Sequence, residues 1–171
     1  MMDYPKAISQ LITEDPDILE LEGTKAFVTL PDSDIKPGTV LKPSGFAGYD
    51  PEARDLEILV EKIRKEEYPS RPSRINAVFV APTEEDARAW QFGARNQAIY
   101  RVVIDPSADF FQTDGATWTE ARSKFASKLR ETASGFIREY WEGGAMCSSY
   151  KLPELIVQGK VTVTGKISQH D

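Results

Sequence analysis

The stretch Pro153–Ile167, PELIVQGKVTVTGKI, sets a carboxylate, Glu154, just ahead of an apolar run, breaks at Gly159, and resumes as an alternating β-branched run. Short apolar and β-branched runs bounded by Pro and Gly are strand signals. They predict a closing strand pair, or one bulged strand, at Leu155–Val157 and Val161–Val163. A Glu at that position also has an ordinary use, because a charge keeps a strand edge soluble.

Upstream lies the longest helical pattern. Trp118, Ala121, Phe125, Leu129, Ala133, Phe136, Ile137 and Tyr140 recur at three- and four-residue steps. They predict one helix from Thr117 or Thr119 to about Glu142, closed by Gly143-Gly144. Ala98–Ile104 (AIYRVVI) is a strand too apolar for an exposed edge, and Ile75–Val80 (INAVFV) is another strand. Between them Thr83 caps a helix whose first turn holds Glu84, Glu85 and Asp86, acids that suit the positive end of the helix dipole.

Asp50-Pro51 opens a further helix, with Asp as N-cap and Pro at the first helical position. Its apolar stripe is Leu56, Leu59, Val60 and Ile63, and Pro69 ends it. Lys25–Leu30 is a strand, and the Pro- and Gly-rich stretch from Pro31 to Asp50 is a long loop. Residues 1–24 form a lead-in, with Ile8, Leu11 and Ile12 at helical spacing before the Asp15-Pro16 turn. The sum is one α+β domain whose strands do not alternate regularly with helices. GxGxxG and the P-loop sequence are both absent from the chain.

The chain has 171 residues, 28% of them charged, with 21 Lys and Arg against 27 Asp and Glu and a net charge of −6. That balance argues against non-specific nucleic-acid binding. Cys147 and His170 stand alone in their types, so a disulfide framework, a Cys-based zinc site, a Ser-His-Asp triad and a His-ligated metal are excluded. No metal is expected. Asp105, Asp109 and Asp114 fall in one aromatic loop, DPSADFFQTDG, but the glycine and glutamate of an EF-hand loop are missing there, and solvated turn acids are the expectation. No apolar run approaches the ~20 residues of a membrane span. The opening MMDYPKAISQ lacks a signal peptide's order of basic then apolar residues, so a cytoplasmic protein that does not bind membranes is expected.

Two separated stretches, Ser73–Trp90 and Glu154–Val163, fall together into a pattern. The first is a strand, a turn and a helix containing alanines; the second is a Glu ahead of an apolar strand with a glycine break. With Ile99-Tyr100-Arg101-Val102 and Tyr140-Trp141-Glu142-Gly143, they make residues 25–167 resemble ADP-ribosyltransferase-like domains, including uncharacterised bacterial and phage members. The resemblance implies a mixed or antiparallel β core with flanking helices, NAD as substrate, and glycosyl transfer to a macromolecular acceptor. It implies Glu154 as the catalytic carboxylate, steadying the oxocarbenium-like sugar as nicotinamide leaves. Arg71 and Arg74 would hold phosphate through their forked donors, Ser73 would support the ribose, and Phe79 or Tyr100 would stack on the nicotinamide. The family's first strand carries an Arg or His that grips NAD, whereas Ala26-Phe27-Val28-Thr29 stands here. Val78-Phe79-Val80 replaces the Ser-Thr-Ser signature, and Leu152 replaces the acid or Gln two positions before the catalytic Glu.

The basic residues have plainer expectations. Lys62, Arg64, Lys65, Arg71 and Arg74 alternate with Glu61, Glu66 and Glu67, as on a solvated helix face. Arg122, Lys124, Lys128, Arg130 and Arg138 decorate the long helix, while Trp118, Phe125, Phe136, Tyr140 and Trp141 belong to the core. The second functional expectation is a small acidic interaction protein of viral or phage type, which binds and modulates or assembles with a protein partner. An enzyme should show Glu154 facing a cavity with Arg71 or Arg74 across it; a binding module should present an apolar surface patch instead.

Overall fold

The computed structural model describes residues 19–43, 50–90, 96–144 and 151–167. The helical run expected over residues 4–14 lies outside the described residues. Asp50 caps helix α1 (Pro51–Glu67) as expected, its side chain accepting from the Ala53 N–H at 2.8 Å. Thr83 opens α2 (Glu84–Trp90) through a reciprocal pair, accepting from the Asp86 N–H and donating to the Asp86 carboxylate.

Among the described residues, six strands make two antiparallel sheets. In the first, β3 (Gln97–Ile104) lies between β1 (Thr24–Pro31) and β6 (Val161–Lys166). In the second, β5 (Pro153–Gln158) lies between β2 (Val78–Val80) and β4 (Asp109–Asp114). The expected closing pair is therefore corrected. β5 and β6 do not pair; one extended run turns the corner at Gly159-Lys160 and changes sheet, as strands at sandwich corners do. Gly159 makes that turn with φ +143°, and a Cβ there would lie 2.5 Å from the Ala108 Cβ. A second junction closes the opposite side, where Phe27 of β1 and Ala81 after β2 exchange backbone hydrogen bonds of 2.9 and 2.6 Å.

Three further expectations change. Asp109–Asp114 is a strand rather than a loop, because Phe110, Phe111 and Gln112 sit opposite Val157, Ile156 and Leu155. Residues 75–77 stay outside β2. The long helix is two helices, α3 (Gly115–Ala126) and α4 (Arg130–Trp141), folded back on each other. The break falls at Ser127–Leu129, where Lys128 takes a left-handed conformation, φ 62°.

Strand alternation sorts the side chains into layers. Ala26, Val28, Val80, Tyr100, Val102, Leu155, Val157, Val161 and Val163 fill the space between the sheets. On the outer face of the second sheet, Ile156 meets the α1 stripe (Leu56, Leu59, Val60, Ile63), together with Ala121 of α3 and Ile137, Tyr140 and Trp141 of α4. α2 covers part of the first sheet through Ala87 and Ile99. The expected aromatic core is borne out: Tyr140 and Trp141 are fully buried, with Trp118, Phe125 and Phe136 packed beside them. The chain is thus a single α+β domain, and among the described residues no helix is long and apolar enough to cross a membrane.

Candidate functional site

Glu154 sits on the same face of β5 as Ile156, turned toward the helices, and is only 6% exposed. Burying a carboxyl there requires partners, because an uncompensated buried charge is strongly unfavourable. Two arrive from distant parts of the chain. The Tyr140 hydroxyl of α4 donates to Glu154 Oε1 at 2.5 Å, and Arg74 Nη1 reaches the same oxygen at 3.5 Å. Arg74 Nη1 also donates to the Tyr140 hydroxyl at 2.5 Å.

Arg74 belongs chiefly to another carboxylate. Its Nε and Nη2 make a forked contact with Glu57 of α1, at 3.2 and 3.1 Å, and Glu57 is 4% exposed. The guanidinium carbon lies 3.7 Å from the Trp118 ring centre, 4.7 Å from Phe79 and 5.3 Å from Tyr140. One cation is therefore enclosed by three aromatic rings, one of them the Tyr140 phenol, and two carboxyl groups. Burial works against its charge, but Tyr140, Glu57 and Glu154 together hold Arg74 more firmly protonated than an ordinary arginine. The Glu154 carboxyl is pushed upward, first by burial and further by Asp114 and Glu57, against the opposing pull of Arg74 and Tyr140. Tyr140 is raised well above a normal phenol, mainly by burial and by Glu154, against Arg74.

This cluster separates two openings. On one side a cavity of about 260 Å³ lies at the junction of the sheets. It is lined by Val28 and Thr29 of β1, Phe79 and Val80 of β2 with Ala81, Ala87 and Trp90 of α2, Gln97 of β3, and Glu154 of β5. The Trp90 indole donates to the Pro153 carbonyl at 3.4 Å and lies against Gly115, which ties α2 to the start of β5. On the other side a cavity of about 210 Å³ is lined by Asp50, Glu57, Arg74, Trp118 and Arg122, among others.

The candidate residues thus divide. Glu154, Arg74 and Phe79 come together. Arg71 is engaged elsewhere, donating to the Trp141 carbonyl at 3.2 Å and lying 4.0 Å over the Phe111 ring. Ser73 donates to Glu61 at 2.9 Å and accepts from the Ile75 N–H, a local turn rather than a ribose contact. Tyr100 is fully buried between the sheets, its hydroxyl donating to the Ser33 carbonyl.

The expected solvated face of Glu61–Arg74 holds for Lys62, Lys65, Glu66 and Glu67, which are exposed, and is corrected for Glu61 and Arg74. Glu61 is buried between Arg64 and Ser73, and Arg74 is enclosed, because the chain after α1 folds back across that helix. Asp114 is no solvated turn acid either. It is buried, caps α3 through Ala116, accepts from Thr117, and takes the Leu152 N–H at 2.6 Å.

Sequence reasoning missed Glu57 and Tyr140 as site residues. Glu57 directly follows Leu56 and lies beside the buried stripe of α1; Tyr140 was assigned to the core, where it is, without its hydroxyl being given a partner. A Glu next to an apolar helical stripe and a Tyr on one are the signals available.

Fold and site together define an α+β domain with a buried arginine shared by two carboxyl groups beside a cavity. The family model for a protein of unknown function, DUF2441, matches residues 53–169, and the chain belongs to that family. The match takes in Glu57, Arg74, Tyr140 and Glu154. No curated protein matches the chain.

Proposed function

We propose that this chain is an ADP-ribosyltransferase-like domain that takes the nicotinamide–ribose end of NAD in the cavity beside Glu154 and transfers ADP-ribose to a macromolecular acceptor. One observation carries the reading. The two stretches that resemble that family, the β2–α2 unit and the start of β5, lie far apart in sequence and line one cavity together with β1. At about 260 Å³ it lies just below the ~300–1,000 Å³ usual for ligand sites, room for one end of a dinucleotide rather than the whole.

In this reading Glu154 is the carboxylate that steadies positive charge growing on the ribose as nicotinamide departs. Trp90, at the cavity wall, offers an aromatic face, and Thr29, whose hydroxyl donates to the Ala87 carbonyl at 2.8 Å, stands on the strand where that family carries an Arg or His. Arg74 holds Glu154 instead of phosphate, since its donors are already directed at Glu57, Tyr140 and Glu154. Of the exposed large apolar residues, Val40, Ile58, Phe110 and Leu129 lie on four different segments, whereas Leu19 and Leu21 line one cavity of about 320 Å³ with Phe27 and Val102, the place where the interaction-protein alternative would seat a partner.

Only ionised Glu154 can steady a cation, and its carboxyl titrates above the ordinary 4.5. Nicotinamide release should therefore climb with pH through that raised value. The test is titration calorimetry with NAD beside an assay for free nicotinamide. Saturable binding with release, and binding without release in Glu154→Gln, is the expected result. Absence of both heat and nicotinamide at millimolar NAD would sink the reading.

A further inference from the structure

The buried cluster contains one guanidinium and two carboxyl groups, so its charges cannot all be matched while both carboxyls are ionised. Geometry decides which one is short of a partner. Glu57 takes Arg74 through both of its oxygens and two different donors, whereas Glu154 meets Arg74 by one contact of 3.5 Å, through an Nη1 that also serves Tyr140. Both described bonds to Glu154 fall on Oε1; Oε2 takes neither, and the residue lines the cavity.

We propose that Glu57 is a positioning residue that sets the charge of Glu154 by competing with it for Arg74. With Arg74 clamped by Glu57, Glu154 is left with the weaker hold on the cation, and its carboxyl titrates above its ordinary value. Neutralising Glu57 leaves Glu154 as the one carboxyl paired with Arg74 among the described residues, and Glu154 then ionises more readily. The other titratable groups around Glu154 point the same way or are fixed: Asp114, at the β4–α3 junction, adds negative charge, and Tyr140 stays a neutral phenol, its ionisation raised well beyond that of an ordinary tyrosine. Asp50 and Arg122 lie on the far side, at the second cavity with Glu57. The catalytic meaning of this control rests on the function proposed above; the control itself does not.

The experiment is a carbon-13 carboxyl titration of glutamate-labelled full-length protein, with the Glu154 signal assigned from its loss in Glu154→Gln. Glu57→Gln keeps shape and one acceptor while removing the charge. It should move the Glu154 midpoint to lower pH, with an unchanged circular dichroism spectrum. A Glu154 midpoint that stays in place or moves upward in a folded Glu57→Gln protein overturns the proposal.

Should that variant not fold, the unsubstituted protein decides. A Glu154 carboxyl that takes up its proton at higher pH than Glu57 supports the inference, and the reverse order overturns it. These readouts are independent of NAD, so failure of nicotinamide release removes the proposed activity without touching them, and an unmoved midpoint removes Glu57's role without touching the activity.

Discussion

Gly115 has no room for a methyl group: a Cβ there would lie 2.4 Å from two carbons of the Trp90 ring and 3.2 Å from the Leu152 carbonyl oxygen. Gly115→Ala should push the indole off the start of α3 and cost about 1–3 kcal/mol, as overpacking usually does. A denaturant titration measures the loss, and tryptophan emission reports the displaced ring; an unchanged midpoint would mean that Trp90 is not seated there. At this scale the sequence was only partly legible. Glu154 stands out because a carboxylate heads an apolar strand. Glu57 does not, since helical glutamates beside an apolar stripe are commonly solvated. Only the return of Arg74 across α1 shows that this one is enclosed. Arg71, Ser73 and Arg74 are neighbours in sequence yet point to Trp141, Glu61 and Glu57 respectively, because irregular backbone sends successive side chains in unrelated directions.

Among the elements, the break between α3 and α4 is the feature periodicity could not show. Phe125, Leu129 and Ala133 continue the four-residue step straight through it, although Leu129 is about half exposed. Turning back lets both helices cover one sheet, which a single rod would overshoot. Lys128 carries the turn with φ 62°, a conformation that costs a side-chain-bearing residue roughly 1–2 kcal/mol. Its side chain is exposed, so Lys128→Gly should raise stability by about 1 kcal/mol, read as a higher urea midpoint. Lys128→Pro, whose ring forbids that φ, should lower it. The capped helices and the apolar β3 were legible because their signals are local. β4 was not, because its sequence carries turn acids and only pairing with β5 makes it a strand.

For the molecule as a whole, the carboxyl groups set two opposing pH limits. Burial pushes Glu61 upward, but hydrogen bonds from Arg64 and Ser73 outweigh it and hold the carboxyl below 4.5. The Arg138 contact does the same for exposed Glu67. A depressed value means that the unfolded chain binds the proton more readily, so this stability is present above 4.5 and fades as pH falls through the folded values. Glu154 acts in the other sense. Its contribution is complete below 4.5 and is lost as pH rises through its raised folded value. Melting temperatures across pH should therefore form a dome. Glu61→Gln should flatten the acid side and Glu154→Gln the alkaline side; an alkaline limb unchanged in Glu154→Gln would show that Glu154 is already ionised in the folded protein.

The corner at Gly159-Lys160 also governs the order in which this chain can assemble. β5 is the middle strand of one sheet and β6 an edge of the other, so residues 153–166 complete both, and their partners β2, β3 and β4 all come earlier. On the ribosome, β2 and β4 emerge with no neighbour to pair with, and the buried Arg74 has one of its two carboxyls but not the other. The domain must wait for residues 153–166 and then close both sheets over long sequence separations, which favours slow, all-or-none folding.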